Sequence, residues 1–198
     1  MRKHNDQVSK GETECILGVA RGCLALPGDF VEMGCYKGDT SLMLAEIIRS
    51  GKTGSKLLYV YDSFEGLPEK TGADESVLGK EFRGGELYAT KREVKERFLR
   101  AGLKVPVIKK AWFNELRASD MPEEIAFSFL DGDFYESIRD SLRLVGDLMV
   151  PGGMILVHDY NNMALPGVKK AVDEWLPQAP GAEIQGYCES LVKISIKN

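Results

Sequence analysis

Residues 28–62 read GDFVEMGCYKGDTSLMLAEIIRSGKTGSKLLYVYD, and their pattern decides the architecture. FVEMG (30–34) has the character of a strand, a turn carrying Gly34 and Gly38 follows it, and TSLMLAEIIRS (40–50) has the spacing of a helix. Gly51 and Gly54 stop that helix, and LLYVYD (57–62) is apolar up to its last residue, which predicts a strand buried on both faces. Strand, glycine turn, helix and strand in succession make a βαβ unit, whose two strands must run parallel with the helix crossing one face of the sheet.

The same alternation continues on either side. GETECILGVARGCLA (11–25) reads as an amphipathic helix ended by Pro27–Gly28. Residues 63–90 are long, polar and glycine-rich; a segment of that length inside a compact unit is usually functional, and a lid is expected. A helix at about 90–101, a strand at VPVIKK (105–110) and a strand at IAFSFLD (125–131) come next. A helix over 135–148 places Ile138, Leu142 and Val145 on one face, and Asp133 is placed to cap its start. The turn Pro151–Gly152–Gly153 introduces a strand at MILVHD (154–159), and a helix at 165–176 follows. Apolar segments at 182–188 and 191–196 read as an antiparallel hairpin closing the sheet. The predicted fold is α/β: a Rossmann-like, seven-stranded, mostly parallel sheet with about six helices on its two faces. It occupies residues 1–198 as one domain, with 1–27 as an N-terminal helical segment and 63–90 as the lid.

Composition narrows the function classes. With 26 Lys and Arg against 30 Asp and Glu the net charge is −4, which gives no basic field for nucleic acid. No apolar run reaches 18 residues, and the positive residues near Met1 precede no apolar stretch, so neither a membrane span nor a secretory signal is expected. Cys15, Cys23, Cys35 and Cys188 lack metal or disulfide spacing and read as buried, reduced thiols of a cytoplasmic protein.

In an open parallel sheet the carboxyl ends of all strands face one crevice, so the residues at those ends are the candidates for chemistry. At the first, Glu32 precedes a turn holding Gly34, Cys35, Tyr36 and Gly38, and Thr40 opens a helix. Glycines let the backbone pass close to a ligand, and the helix offers unpaired N–H groups. The spacing is E-x-G-x-x-x-G, distinct from both the dinucleotide fingerprint and the P-loop; a plain tight turn is the competing reading. At the second end Asp62 is suited to accept from two vicinal ribose hydroxyls, or to serve as a loop acid. At the fourth and fifth, Asp131, His158 and Asp159 present two carboxylates and an imidazole to a divalent cation, or else caps and a satisfied histidine. Trp112 and Phe113, after the third strand, sit where an aromatic flanks a purine or packs in the core. No histidine is placed in sequence to make Cys35 a nucleophile.

Taken together, PGDFVEMGCYKGDTS, YDSFEGLPE, KAWFNEL, LDGDFYESIRDSL and PGGMILVHDY resemble the class I S-adenosylmethionine-dependent methyltransferases. More narrowly, they are similar to the macrocin O-methyltransferase family of antibiotic-sugar methyltransferases, over about residues 27–176. The resemblance implies that Gly34 and Gly38 pass beneath the methionine part of the cofactor and that Glu32 lies near its amino group. It implies that Asp62 holds the ribose with Ser63 and Phe64 beside it, that Ala111, Trp112 and Phe113 border the adenine, and that Asp131 and Asp159 bind Mg²⁺. Where the family usually has Asp-Asp-Tyr this chain has His158–Asp159–Tyr160. His158 then either ligates a different metal such as Mn²⁺, acts as the base beside Asp131, or marks a loss of metal dependence. The implied activity is methyl transfer to a hydroxyl of a small-molecule acceptor, a sugar of a glycosylated natural product, by a protein of open oligomeric state. The rivals are a nicotinamide-dependent oxidoreductase and a catalytically silent S-adenosylmethionine-binding regulator.

Overall fold

In β1 (Asp29–Met33) Phe30 points into one core while Val31 and Met33 point into another, because successive strand side chains leave opposite faces of a sheet. This computed structural model describes residues 8–51, 56–80 and 82–197; expectations concerning residues 1–7, Gly54 and Glu81 lie outside them. β1 is followed by α2 (Asp39–Ser50), β2 (Leu58–Asp62), α3 (Lys91–Ala101) and β3 (Val107–Lys110). Then come β4 (Ile125–Leu130), α4 (Tyr135–Val145), β5 (Met149–Val157), α5 (Pro166–Trp175) and the hairpin β6 (Ala182–Cys188) and β7 (Leu191–Ile196). An amino-terminal helix, α1 (Lys10–Gly22), precedes them all.

The seven strands form one sheet in the order β3-β2-β1-β4-β5-β7-β6. β1 to β5 pair in parallel, and β7 is antiparallel to both β5 and β6. β4, central in the sheet, is buried at every position, whereas β6 at the edge alternates between half-buried and exposed residues. α1, α2 and α3 cover one face through Ile16, Leu44 and Phe98, and α4 and α5 cover the other through Ile138, Leu142, Val168 and Val172. The fold class is therefore the one expected, hairpin included.

The differences are local. Five α-helices are present among the described residues where about six were expected, and the helix expected over 135–148 ends at Val145 and tightens into a 3₁₀ turn through Leu148. β5 begins at Met149 and passes through Pro151–Gly153 with an irregularity in its pairing to β4, so that turn interrupts a strand and does not introduce one. Asp133 does not cap α4. It has φ +60°, the cap position is Phe134, and the Tyr135 N–H donates at 2.6 Å to Asp74 Oδ1 of the 63–90 segment. Asp74 also accepts from the Thr71 N–H at 3.0 Å, and Leu67 and Glu86 exchange backbone bonds with their neighbours across the segment. The expected lid is thus stitched to itself and to α4. All four cysteines are free; Cys23 and Cys35 are buried as expected, while Cys15 and Cys188 are half-buried, and the Cys188 thiol donates to the Gly11 carbonyl of α1 at 3.8 Å. No described helix is long and apolar enough to cross a membrane.

Candidate functional site

The strand order reverses between β1 and β4: the chain leaves β1 towards β2 and leaves β4 towards β5, on opposite sides. Neighbouring loops therefore diverge at the carboxyl ends of these two strands and leave a crevice, the usual ligand position in such sheets. Backbone strain gathers there. Tyr36, Phe64, Asp133 and Asp159, one after each of β1, β2, β4 and β5, all have positive φ between 46° and 60°.

Glycine is required at position 34. Its φ is +89°, and a Cβ there would overlap the carbonyl oxygen of Asp131. The approach is sealed by the Gly34 N–H donating to the Tyr61 carbonyl at 2.9 Å and the Asp131 N–H donating to the Met33 carbonyl at 2.8 Å. Gly38, at φ +78°, turns the chain into α2. Glu32 is buried beneath this turn and accepts a hydrogen bond from the Ser41 hydroxyl, one turn into α2.

Asp62 braces the turn from β2. Its Oδ2 accepts the N–H groups of Cys35 at 2.8 Å and Tyr36 at 3.1 Å, and its Oδ1 accepts the Phe64 N–H at 2.7 Å. A carboxylate has about four acceptor sites, so the backbone takes three and a ligand hydroxyl is left with one. Beside it the Cys35 thiol is pushed well above its ordinary pKa by burial and by the charges of Asp62 and Glu32, which keeps it protonated.

The crevice, about 830 Å³ with the solvent space at its mouth included, is lined from four strand ends. Glu32, Gly34, Cys35, Tyr36 and Thr40 line it from the first strand end, and Asp62 and Ser63 from the second. Ala111, Trp112 and Phe113 line it after β3, and Asp131 after β4. Gly38 and Phe64 stand outside the lining: Gly38 backs onto Val94, and Phe64 is buried in the core beneath α2 and α3. Sequence reasoning missed Leu67, Pro68 and Leu87, by which the 63–90 segment walls one side, and Ser137 of α4. Nothing local marks these as liners.

Next to the crevice, ligand atoms of Asp131, His158 and Asp159 lie within 4.8 Å of one another. His158 Nδ1 is 2.9 Å from Asp131 Oδ1 and 3.0 Å from Asp159 Oδ2. His158 Nε2 faces Glu12 Oε2 of α1 at 3.3 Å, a partner the sequence reading did not find. Burial alone pulls the imidazole pKa down, but the charge of Asp131 and the hydrogen bonds the ring donates to Asp131, Asp159 and Glu12 outweigh it and hold it well above the ordinary value. Glu12 is likewise pushed up by burial, and its hydrogen bonds with His158, Ser190 and Ser9 carry it below the usual carboxylate range. Asp133, raised by burial and by Asp131 and Asp159, adds a further acid to the crevice wall.

Known proteins are similar to this chain in sequence and fold. Over 156 residues the chain is 31% identical to the 8-demethyl-8-(2,3-dimethoxy-alpha-L-rhamnosyl)-tetracenomycin-C 4'-O-methyltransferase of Streptomyces olivaceus, covering 76% of this chain and 58% of the relative. It is 27% identical to the mycinamicin III 3''-O-methyltransferase of Micromonospora griseorubida, covering 76% of this chain and 61% of that protein. The chain thus spans less than two thirds of the length of these relatives. Among solved structures the O-methyltransferase NovP superposes with a TM-score of 0.79 at 25% identity, over 95% of this chain and 81% of that one. The calicheamicin methyltransferase CalS11 shares the fold, with a TM-score of 0.75 at 15% identity over 95% and 80% of the two chains. Neither the nicotinamide-dependent nor the silent-binder alternative is favoured by these relatives. Residues 13–181 match the macrocin-O-methyltransferase (TylF) family, and the chain belongs to it.

Proposed function

We propose that this protein transfers a methyl group from S-adenosylmethionine to a hydroxyl of a small-molecule acceptor, a sugar of a glycosylated natural product, with a divalent cation at the strand ends. The observation that carries this reading is the position of Asp131. It lines the crevice and also belongs to the three-residue cluster, so one carboxylate joins the cleft to a candidate cation site. The names of the relatives, all O-methyltransferases acting on glycosylated or related natural products, support the acceptor class.

The crevice fits the cofactor. Its glycine turn brings bare backbone against the floor, Glu32 supplies a buried carboxylate for an amino group, and Asp62 keeps one acceptor site for a ribose hydroxyl. Trp112 and Phe113 offer apolar walls to a purine. The cluster fits a divalent cation: two carboxylates and an imidazole nitrogen converge, a set that suits Mn²⁺, Fe²⁺, Co²⁺ or Zn²⁺ at least as well as Mg²⁺. Asp131, Asp159 and His158 Nδ1 would hold it. When bound, the sulfonium cofactor supplies the methyl group and the cation lowers the pKa of the acceptor hydroxyl and fixes its direction.

The chain's own contribution is alignment and proton removal. Asp131 is the group of the cluster that reaches the crevice, with a side chain 24% exposed against 4% for His158. Asp131 therefore faces the acceptor and takes its proton, while His158 and Asp159 complete the cation site beside it. Leu67, Pro68 and Leu87 exclude water from one side.

Calorimetry with S-adenosylmethionine and S-adenosylhomocysteine, with and without Mg²⁺ or Mn²⁺, tests the reading. Micromolar binding of both, and loss of turnover with sugar acceptors in Asp131→Asn while S-adenosylhomocysteine still binds, is the expected outcome. No binding under any metal condition overturns it.

A further inference from the structure

Glu12 does more than a helix cap requires. With Ser9 it forms the capping box of α1: the Glu12 N–H donates to Ser9 Oγ at 3.1 Å, and the Ser9 N–H donates to Glu12 Oε2 at 2.9 Å. A glutamate serving only that purpose can lie in water. Here the carboxylate is 4% exposed, and its remaining acceptor sites are taken by groups from the far end of the chain. Oε1 accepts both the N–H of Ser190, at 3.1 Å, and the Ser190 hydroxyl, from the turn between β6 and β7. Oε2 faces His158 Nε2. The Ser190 hydroxyl also accepts the N–H of Asp159 at 3.3 Å. One buried carboxylate therefore ties the start of α1 to the histidine and, through Ser190, to the backbone of the adjoining aspartate.

We infer that Glu12 is a positioning residue for the cation site, an inference that rests on the cation reading above. An imidazole presents a lone pair at one nitrogen only when the proton sits on the other, and a hydrogen bond to that N–H sets both tautomer and ring direction. Glu12 accepts from His158 Nε2–H. Without a cation Nδ1 donates to Asp131 and Asp159; a cation held between the two aspartates would take the place of that proton, and Glu12 would keep the remaining proton on Nε2, away from the crevice, with the Nδ1 lone pair turned towards the gap. The buried Glu12 carboxylate behind the ring would also make Nδ1 a stronger electron-pair donor to a cation. Docking of α1 thereby completes a site whose three ligand residues follow β4 and β5.

Titrating Mn²⁺ by calorimetry into the full chain and its Glu12→Gln variant, with S-adenosylhomocysteine binding as the control for an intact crevice, tests this. Glu12→Gln is expected to keep S-adenosylhomocysteine affinity within about twofold and to weaken Mn²⁺ about 10- to 100-fold, the usual loss when a partner behind a ligating histidine is removed. Glu12→Asp, which keeps the charge, should recover part of the loss. Should Glu12→Gln not accumulate as folded protein, Ser190→Ala leaves the charge in place and loosens its brace; a several-fold weaker Mn²⁺ affinity with unchanged S-adenosylhomocysteine binding supports the same role. If the folded variants bind Mn²⁺ as the parent does, the role of Glu12 is overturned and the cation reading stands. If Mn²⁺ and S-adenosylhomocysteine weaken together, Glu12 is merely structural and the inference fails. If the parent binds S-adenosylhomocysteine but no Mn²⁺, the cation reading itself falls, and this inference with it.

Discussion

Replacing Asp62 by asparagine separates two roles that a strand-end acid can play, bracing the chain and binding the ligand. In the structure its two oxygens accept three backbone N–H groups, from Cys35, Tyr36 and Phe64. Asparagine has one oxygen. Turned towards Cys35 and Tyr36, it keeps those two bonds in weaker, uncharged form and points its own NH₂ at the Phe64 N–H. Hydrogen bonds to a charged group contribute about 1.5–3 kcal/mol and neutral ones about 0.5–1.5 kcal/mol, so one bond lost and two weakened amounts to about 2–4 kcal/mol once water reaching this half-buried turn is allowed for. For a chain of this length that is a fall in Tm of roughly 5–15 °C. Urea and thermal unfolding of the ligand-free protein, followed by circular dichroism, measure it directly. An acid that serves only a ribose would leave ligand-free stability within about 0.5 kcal/mol of the parent and show its whole effect in calorimetry with S-adenosylhomocysteine. That result would refute the bracing role assigned to Asp62.

Two other perturbations address the segment over the crevice and the thiols. Asp74→Ala removes the acceptor for the Tyr135 N–H and the tie to Thr71, and should cost about 1–3 kcal/mol of stability; it should also speed tryptic cleavage after Lys70 and Lys80, and unchanged cleavage would show that Asp74 does not anchor the segment. The Cys15 thiol is raised to about 11 by burial and by its contact with Cys188. A higher pKa leaves less thiolate at any given pH, so iodoacetamide labelling of Cys15 at pH 8 should run about a hundredfold slower than for an unperturbed cysteine and climb with pH until about 11. Mass spectrometry of the labelled peptide reads the rate, and labelling at the speed of a free thiol would contradict the packing of α1 on β6.

The sheet was legible in the sequence because its signals are local. Short apolar runs such as IAFSFL mark the strands, Gly51 marks the end of the helix between two of them, and the crossover rule then sets their direction, whereas Pro151–Gly153 lies within β5 and bounds nothing. The crevice was legible for the same reason: a parallel sheet sends Glu32, Asp62, Asp131 and Asp159 to one end whatever their side chains do. What could not be read is which groups those side chains touch, since the partners are remote. Ser9–Lys10–Gly11–Glu12 is readable as a capping box, yet nothing near it announces His158, 146 positions later. Proximity likewise nominates Asp133 as the cap of α4, but its left-handed backbone takes it out of that position and Asp74, 61 residues before Tyr135, supplies the acceptor.

These remote partners also change what an acid at a strand end means. Asp62, Asp74 and Glu12 all carry the charge that a sequence reader assigns to ligands, and the fold spends most of each carboxylate on its own N–H groups. Such an acid argues for a ligand only to the extent that acceptor sites remain after the chain has taken its share. Asp62 retains one of about four. Asp159 accepts from Asn162 Nδ2 at 2.8 Å as well as facing His158. Asp131 meets only His158 among the described side chains, at 2.9 Å, with the rest of its carboxylate turned to the crevice. By that measure the residue best supplied with unspent acceptor capacity is the one lying between cleft and cluster, so Asp131→Asn should depress turnover more than Asp62→Asn at equal cofactor occupancy. The reverse order would place the chemistry at β2 and not at β4.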